Sequence, residues 1–155
     1  MIRTMVALHN EWKYARGIII DFLKNLNACD LHKEFPRKSL NSIIKQCNEL
    51  YEIQQDYVDA IENKLMEFKG RNLKIDSSEE LIYRMQEIDK KLEIYMESLD
   101  GNETVEWFGE EMDVHQHICA MISHENMHIG QIIAFCYAVG INIPECIIEK
   151  MSLDG

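Results

Sequence analysis

The chain has 155 residues, 46% of them apolar and only two of them proline, which suits a single domain, residues 1–155, with a buried core. Its formal net charge is −11, from 27 acids against 16 bases. That field repels phosphate backbones and no Lys/Arg cluster offsets it, so nucleic acid is set aside as a partner.

The longest uncharged stretch, Asn126 to Pro144, contains Asn, Gln and two Gly. It reads as a buried helix with its cap rather than a membrane span, so no membrane partner is expected. The first residues show no signal-peptide core. The five cysteines (Cys29, Cys47, Cys119, Cys136 and Cys146) are irregularly spaced and lack a C-x-x-C pair. A reduced, cytoplasmic setting is expected, with the thiols acting as small apolar residues.

In chain order, apolar residues at 3-4 spacing mark four helical blocks. The first carries Met5, Leu8, Trp12, Ala15, Ile19, Phe22 and Leu26, and a polar loop ending F-P-R-K-S follows it. The second carries Ile43, Leu50, Ile53, Tyr57 and Ile61 and fades near Phe68-Lys69-Gly70. The third opens at Ser77, with Glu80 completing a capping-box pattern, and runs through Leu81, Met85, Ile88, Leu92, Tyr95 and Leu99 to Asp100-Gly101-Asn102. Residues 104–109, T-V-E-W-F-G, read as irregular or briefly extended. The fourth block spans about Glu111 to Val139, with Gly140 as its C-terminal cap and Pro144 opening a short last helix. The second and fourth blocks look the longest. The expected class is all-α, a four-helix bundle plus a short C-terminal helix.

The fourth block holds the informative residues. Its 3-4 seam reads Val114, His117, Met121, His124, His128, Gln131, Phe135, Ala138. Four polar residues thus stand where a plain bundle would carry leucine, and burying them unpartnered costs a few kcal/mol each. His124 and His128 are one turn apart and can converge on one ion. His117 lies a heptad earlier, too far to share it, but able to orient substrate or relay a proton; its plainer role is an internal hydrogen bond. On the second block, Gln46 continues the Ile43–Leu50 seam and points inward.

The five residues His124 to His128 also spell H-E-x-x-H, the zinc-protease pattern, with Glu125 as base and Glu145 or Glu149 as a third ligand. A zinc protease also needs a strand beside the active helix, and Glu125 falls about 100° from the histidine seam. That alternative ranks last.

The run H-I-C-A-M-I-S-H-E-N-M-H-I-G-Q-I-I-A-F-C-Y-A-V-G-I-N-I-P-E resembles the last core helix of the DinB/YfiT-like superfamily. The matching positions are His124, His128, Gly130, Gln131, Gly140 and Pro144. The preceding Val105–Gly109, the block with Trp12, and the loop D-L-H-K-E-F-P followed by S-L-N-S-I-I-K-Q-C-N-E-L-Y-E extend the likeness over essentially the whole chain.

The resemblance implies an up-down-down-up bundle, often a homodimer, with a zinc or nickel ion on three histidines. Two of these map to His124 and His128. The third maps to Gln46, where this chain departs from the pattern: Gln is a weak ligand for either metal. A carboxylate such as Glu49 would be one substitute, and loss of the metal another outcome. Gln131 would brace a ligand histidine from behind. Trp12, Tyr57 and Trp107 are candidate cavity walls. The implied activity is a metal-dependent transferase or hydrolase acting on a small molecule such as a low-molecular-weight thiol. The alternative is a non-catalytic dimer that binds a ligand or no metal.

Overall fold

The structure is a computed structural model that describes residues 1–154. Among the described residues there are five α-helices: α1 (Arg3–Asn25), α2 (Ile43–Asn63), α3 (Ser78–Ser98), α4 (Val114–Val139) and α5 (Glu145–Met151). A two-stranded hairpin, β1 (Thr104–Trp107) with β2 (Glu110–Asp113), sits between α3 and α4. The extended reading of 104–109 is therefore met, but the strand pair takes residues that were expected to open α4. The hairpin turn falls on Phe108 and Gly109, both at positive φ (52° and 88°), as a two-residue hairpin requires.

Local signals set the helix ends. The Ser77 hydroxyl accepts from the Glu80 backbone N–H, while the Glu80 carboxylate turns outward to Arg84, so half of the capping box forms. Asp113 caps α4 by accepting from the His115 N–H. Gly140, at φ 69°, closes α4. Helix α2 stops at Asn63, short of the expected Phe68, because Lys64 adopts a left-handed conformation. Met66 then hydrogen-bonds to Glu106 of the hairpin instead of continuing the helix. At 26 and 23 residues, α4 and α1 are the longest helices, rather than α4 and α2.

Helices α1 and α2 each pack against both α3 and α4 and occupy one diagonal of the bundle. Paired side chains give the directions. Thr4 meets His115 and Arg16 meets Glu125, so α1 and α4 run the same way. Gln54 meets Asp89 and Glu62 meets Tyr95, so α2 and α3 run together. His117 bonds to Tyr57 and His128 to Gln46, so α2 and α4 oppose each other. The bundle is up-down-down-up.

Parallel α2 and α3 oblige the chain to travel back the length of the bundle between them. Residues 64–77 make that return as an extended strap laid along α2. The α2 face beneath it presents Asn48, Glu52, Asp56 and Asp59, spaced roughly one turn apart. Each takes part of the strap. Asp56 accepts from the Lys69 N–H (3.1 Å) and pairs with Arg71, which also reaches Asp59 (3.1 Å). Glu52 accepts from the N–H groups of Asn72 and Leu73. Asn48 bonds Ile75 in both directions, at 3.0 and 2.8 Å. Glu52 and Asp56 thus satisfy backbone N–H groups of the strap.

The buried apolar residues form two clusters. One contains Ile19, Leu50, Met85 and Ile129, the other Trp12, Tyr57, Leu92 and Met121. Between them lies a polar layer with one residue from each main helix: Arg16, Gln54, Asp89 and Glu125. The Arg16 guanidinium stands 3.0 Å from Glu125 and 3.3 Å from Asp89, bonds the Gln54 carbonyl, and lies 4.6 Å over the Trp12 ring. Gln54 in turn donates to Asp89 at 2.7 Å. Burial pushes the Glu125 and Asp89 carboxyls up from their usual range, and the Arg16 charge opposes that push.

Removing the cation would leave buried Glu125 and half-buried Asp89 without their counter-charge. Arg16→Met is expected to lower stability by about 3–5 kcal/mol in urea unfolding at neutral pH. Adding Glu125→Leu to that variant should recover a substantial part of the loss.

Candidate functional site

The polar layer sets the rotation of α4. Its buried line is Val114, Ile118, Met121, Glu125, Ile129, Ile132 and Cys136, turned from the seam predicted in sequence. Glu125 lies at the centre of the core, 2% exposed, while His124 is half-buried on the flank. The H-E-x-x-H spelling therefore does not place a free base next to two histidines: Glu125 faces Arg16. His117 and His128 are buried, Gln131 and Phe135 are half-buried, and Ala138 is exposed.

His117 is held at both nitrogens. The Trp107 indole donates to Nδ1 at 3.0 Å, and Nε2 lies 2.9 Å from the Tyr57 carbonyl oxygen. An indole N–H can only donate and a carbonyl can only accept. The ring is therefore neutral with its proton on Nε2, and burial holds its pKa below the usual histidine value. Both ring nitrogens are thus engaged in internal hydrogen bonds. Tyr57 and Trp107 line this part of the molecule, with ring centroids 5.2 and 5.8 Å from His117. Trp12 lies away from it, under Arg16.

Gln46 is fully buried, as its seam position predicts. Its amide nitrogen donates to the Leu40 carbonyl at 2.9 Å, which turns Oε1 toward His128 Nδ1, also at 2.9 Å. Oε1 can only accept, so Nδ1 of His128 carries the proton and Nε2 is left bare. Gln46 thus braces His128 from α2. Glu49 is exposed on α2; its charge acts on His128 as a secondary influence, opposing the burial that lowers the pKa of that ring.

The His124 and His128 rings lie with centroids 4.5 Å apart, and Tyr57 is 6.2 Å from His124. Burial, and then the neighbouring His128, push His124 down to about 4. Around neutral pH the site is two adjacent uncharged imidazoles beside a phenol ring. Among the described residues, no group of three His, Cys, Asp or Glu side chains is placed to hold a metal ion. With the Gln46 oxygen committed to His128, the donor set does not fit a three-ligand zinc or nickel centre.

The parts hidden from sequence reading are Arg16, Gln54 and Asp89, together with the Leu40 carbonyl that orients Gln46. One signal was present: Glu125 is the only Asp, Glu, Lys or Arg between Val114 and Val139. A lone acid in an otherwise uncharged helix calls for a buried partner.

His124 supplies a pH test. Its folded pKa lies below the unfolded value, so between about 4 and 6.5 the unfolded chain binds the extra proton, and this residue's contribution to stability falls as pH falls. Its imidazole resonances should titrate near 4. On going from pH 7 to pH 5, wild type should lose more stability than His124→Gln does.

No family model matches the chain, and no curated protein matches it. Solved structures do. A DinB-like protein from Bacillus cereus ATCC 10987 superposes with a TM-score of 0.72 at 16% identity, covering 88% of this chain and 93% of that one. A DinB-like protein from Bacillus subtilis superposes with a TM-score of 0.68 at 13% identity, covering 89% and 95%. The up-down-down-up bundle described above is the DinB-like fold, and this chain has it.

Proposed function

We propose that the chain is a DinB-like bundle that binds a small, hydrogen-bond-donating molecule, such as a low-molecular-weight thiol, at the uncharged His124/His128 pair. The observation that carries this reading is the 2.9 Å contact between Gln46 Oε1 and His128 Nδ1. It makes the would-be third ligand a brace and leaves His128 Nε2 as an acceptor. Tyr57 supplies an aromatic wall beside it. A metal-dependent transferase or hydrolase is the competing reading, and it requires a third ligand that Gln46 does not offer.

A second copy of the chain belongs to the same proposal. Four of the five isoleucines that give α4 its broad apolar character, Ile118, Ile129, Ile132 and Ile133, are used by the chain's own core. The outward face carries Cys119, Ser123, Met127, Gly130, Ala134 and Tyr137, with no charged residue among them, as a face that meets its own copy would.

Two titrations test the site, one with a small thiol and one with zinc, both read on the His124 and His128 resonances. The thiol is expected to shift both rings at millimolar concentration, with the response lost in His128→Ala. Stoichiometric zinc surviving gel filtration would instead favour the metal-dependent enzyme. Gln46→His should raise zinc affinity at least about tenfold over wild type, because it returns an imidazole to the α2 position.

A further inference from the structure

Thr4, His115 and Asp113 stand in line where α1 and α4 begin. Thr4 Oγ1 lies 3.1 Å from His115 Nε2, and His115 Nδ1 lies 2.8 Å from Asp113 Oδ1. The same carboxylate oxygen accepts from the His115 backbone N–H at 2.7 Å. An ionised carboxylate only accepts, so Nδ1 carries the imidazole proton and Nε2 is bare. The proton in the Thr4–His115 contact is then the hydroxyl's own: Thr4 donates into a base that Asp113 orients.

Capping accounts for the Asp113 bond to the backbone, but not for the reach of His115 across to another helix. The ring is also held from the side. Gly101 packs so closely that a Cβ there would lie 3.0 Å from His115 Cε1 and 2.7 Å from Ile2 Cδ1, and its φ of 94° suits glycine. Thr4 itself is exposed, in the first turn of α1, where backbone N–H groups have no acceptor within the helix.

We propose that Thr4, His115 and Asp113 form a second, surface-exposed site that carries out acyl transfer from small activated esters. Thr4 Oγ attacks the acyl carbonyl carbon and passes its proton to His115 Nε2. The bond to the leaving oxygen breaks, and that oxygen takes the proton from His115. Water, deprotonated by the same nitrogen, then hydrolyses the acyl-threonine, releasing the acid and restoring the hydroxyl. Free N–H groups of the α1 first turn stand beside Thr4 to stabilise the oxyanion. His115 acts as base and Asp113 as positioning residue. The proposal uses no residue of the His124/His128 site and stands or falls separately from it.

The test uses the full chain and p-nitrophenyl acetate, following the nitrophenolate burst and locating the acetyl group by peptide mass spectrometry. The expected result is acetylation of the peptide containing Thr4. The burst should fall roughly tenfold or more in Thr4→Val and in His115→Gln, and should be retained in Thr4→Ser. Asp113→Asn should slow it while Asp113→Ala slows it further. A burst unchanged in Thr4→Val, or acetyl found only on the Met1 amine or on lysines, would overturn the assignment. So would loss of the burst in a folded Thr4→Ser variant.

Discussion

One buried guanidinium facing a buried carboxylate and a half-buried one is the constraint around which this bundle is arranged. Arg16 comes from α1, Asp89 from α3 and Glu125 from α4, and Gln54 of α2 closes the layer. Charge cannot be buried unpaired, so the four helices must meet at this level in one rotational setting. An all-apolar core tolerates small rotations of its helices; this one does not. The layer also divides the core, so the apolar packing on either side forms two clusters rather than one.

The rotation of α4 that follows arranges the candidate histidine site. It draws Glu125 inward, moves His124 to the flank and keeps His128 against α2. There Gln46, itself held by the Leu40 carbonyl, decides which nitrogen of His128 is free. Proton positions at His117 are settled in the same way by partners that can only donate or only accept. The two histidines nearest the bundle axis are therefore chemically unlike: one has both nitrogens occupied, and the other presents a bare nitrogen.

The fold was largely legible because periodicity and capping are local. Ser77, Gly140 and Pro144 lie at the ends of helices as their chemistry requires. The site was legible in part: Gln46 and His128 are inward and touch, as their seam positions imply. What escaped were relations between helices. A 3-4 pattern that mixes His and Glu admits two rotations about one residue apart, and only Arg16, distant in sequence, selects between them. The end of α2 was missed for a similar reason. Residues 64–68 can continue a helix, but the hairpin at Glu106 competes for their backbone. The acids of α2 gave no hint of their duty, since the backbone they serve is extended and carries no periodic signature.

That strap bears on which changes in length the chain can tolerate. It is pinned at Lys69, Arg71, Asn72, Leu73 and Ile75 to successive turns of α2. Deleting two residues would draw the remaining contacts about 7 Å out of step. The segment is thus a ruler rather than a spacer. Natural variation in loop length should collect at the exposed Phe108-Gly109 turn and around residues 32–39 instead, leaving the stretch between Lys69 and Ile75 constant in length even where its sequence drifts.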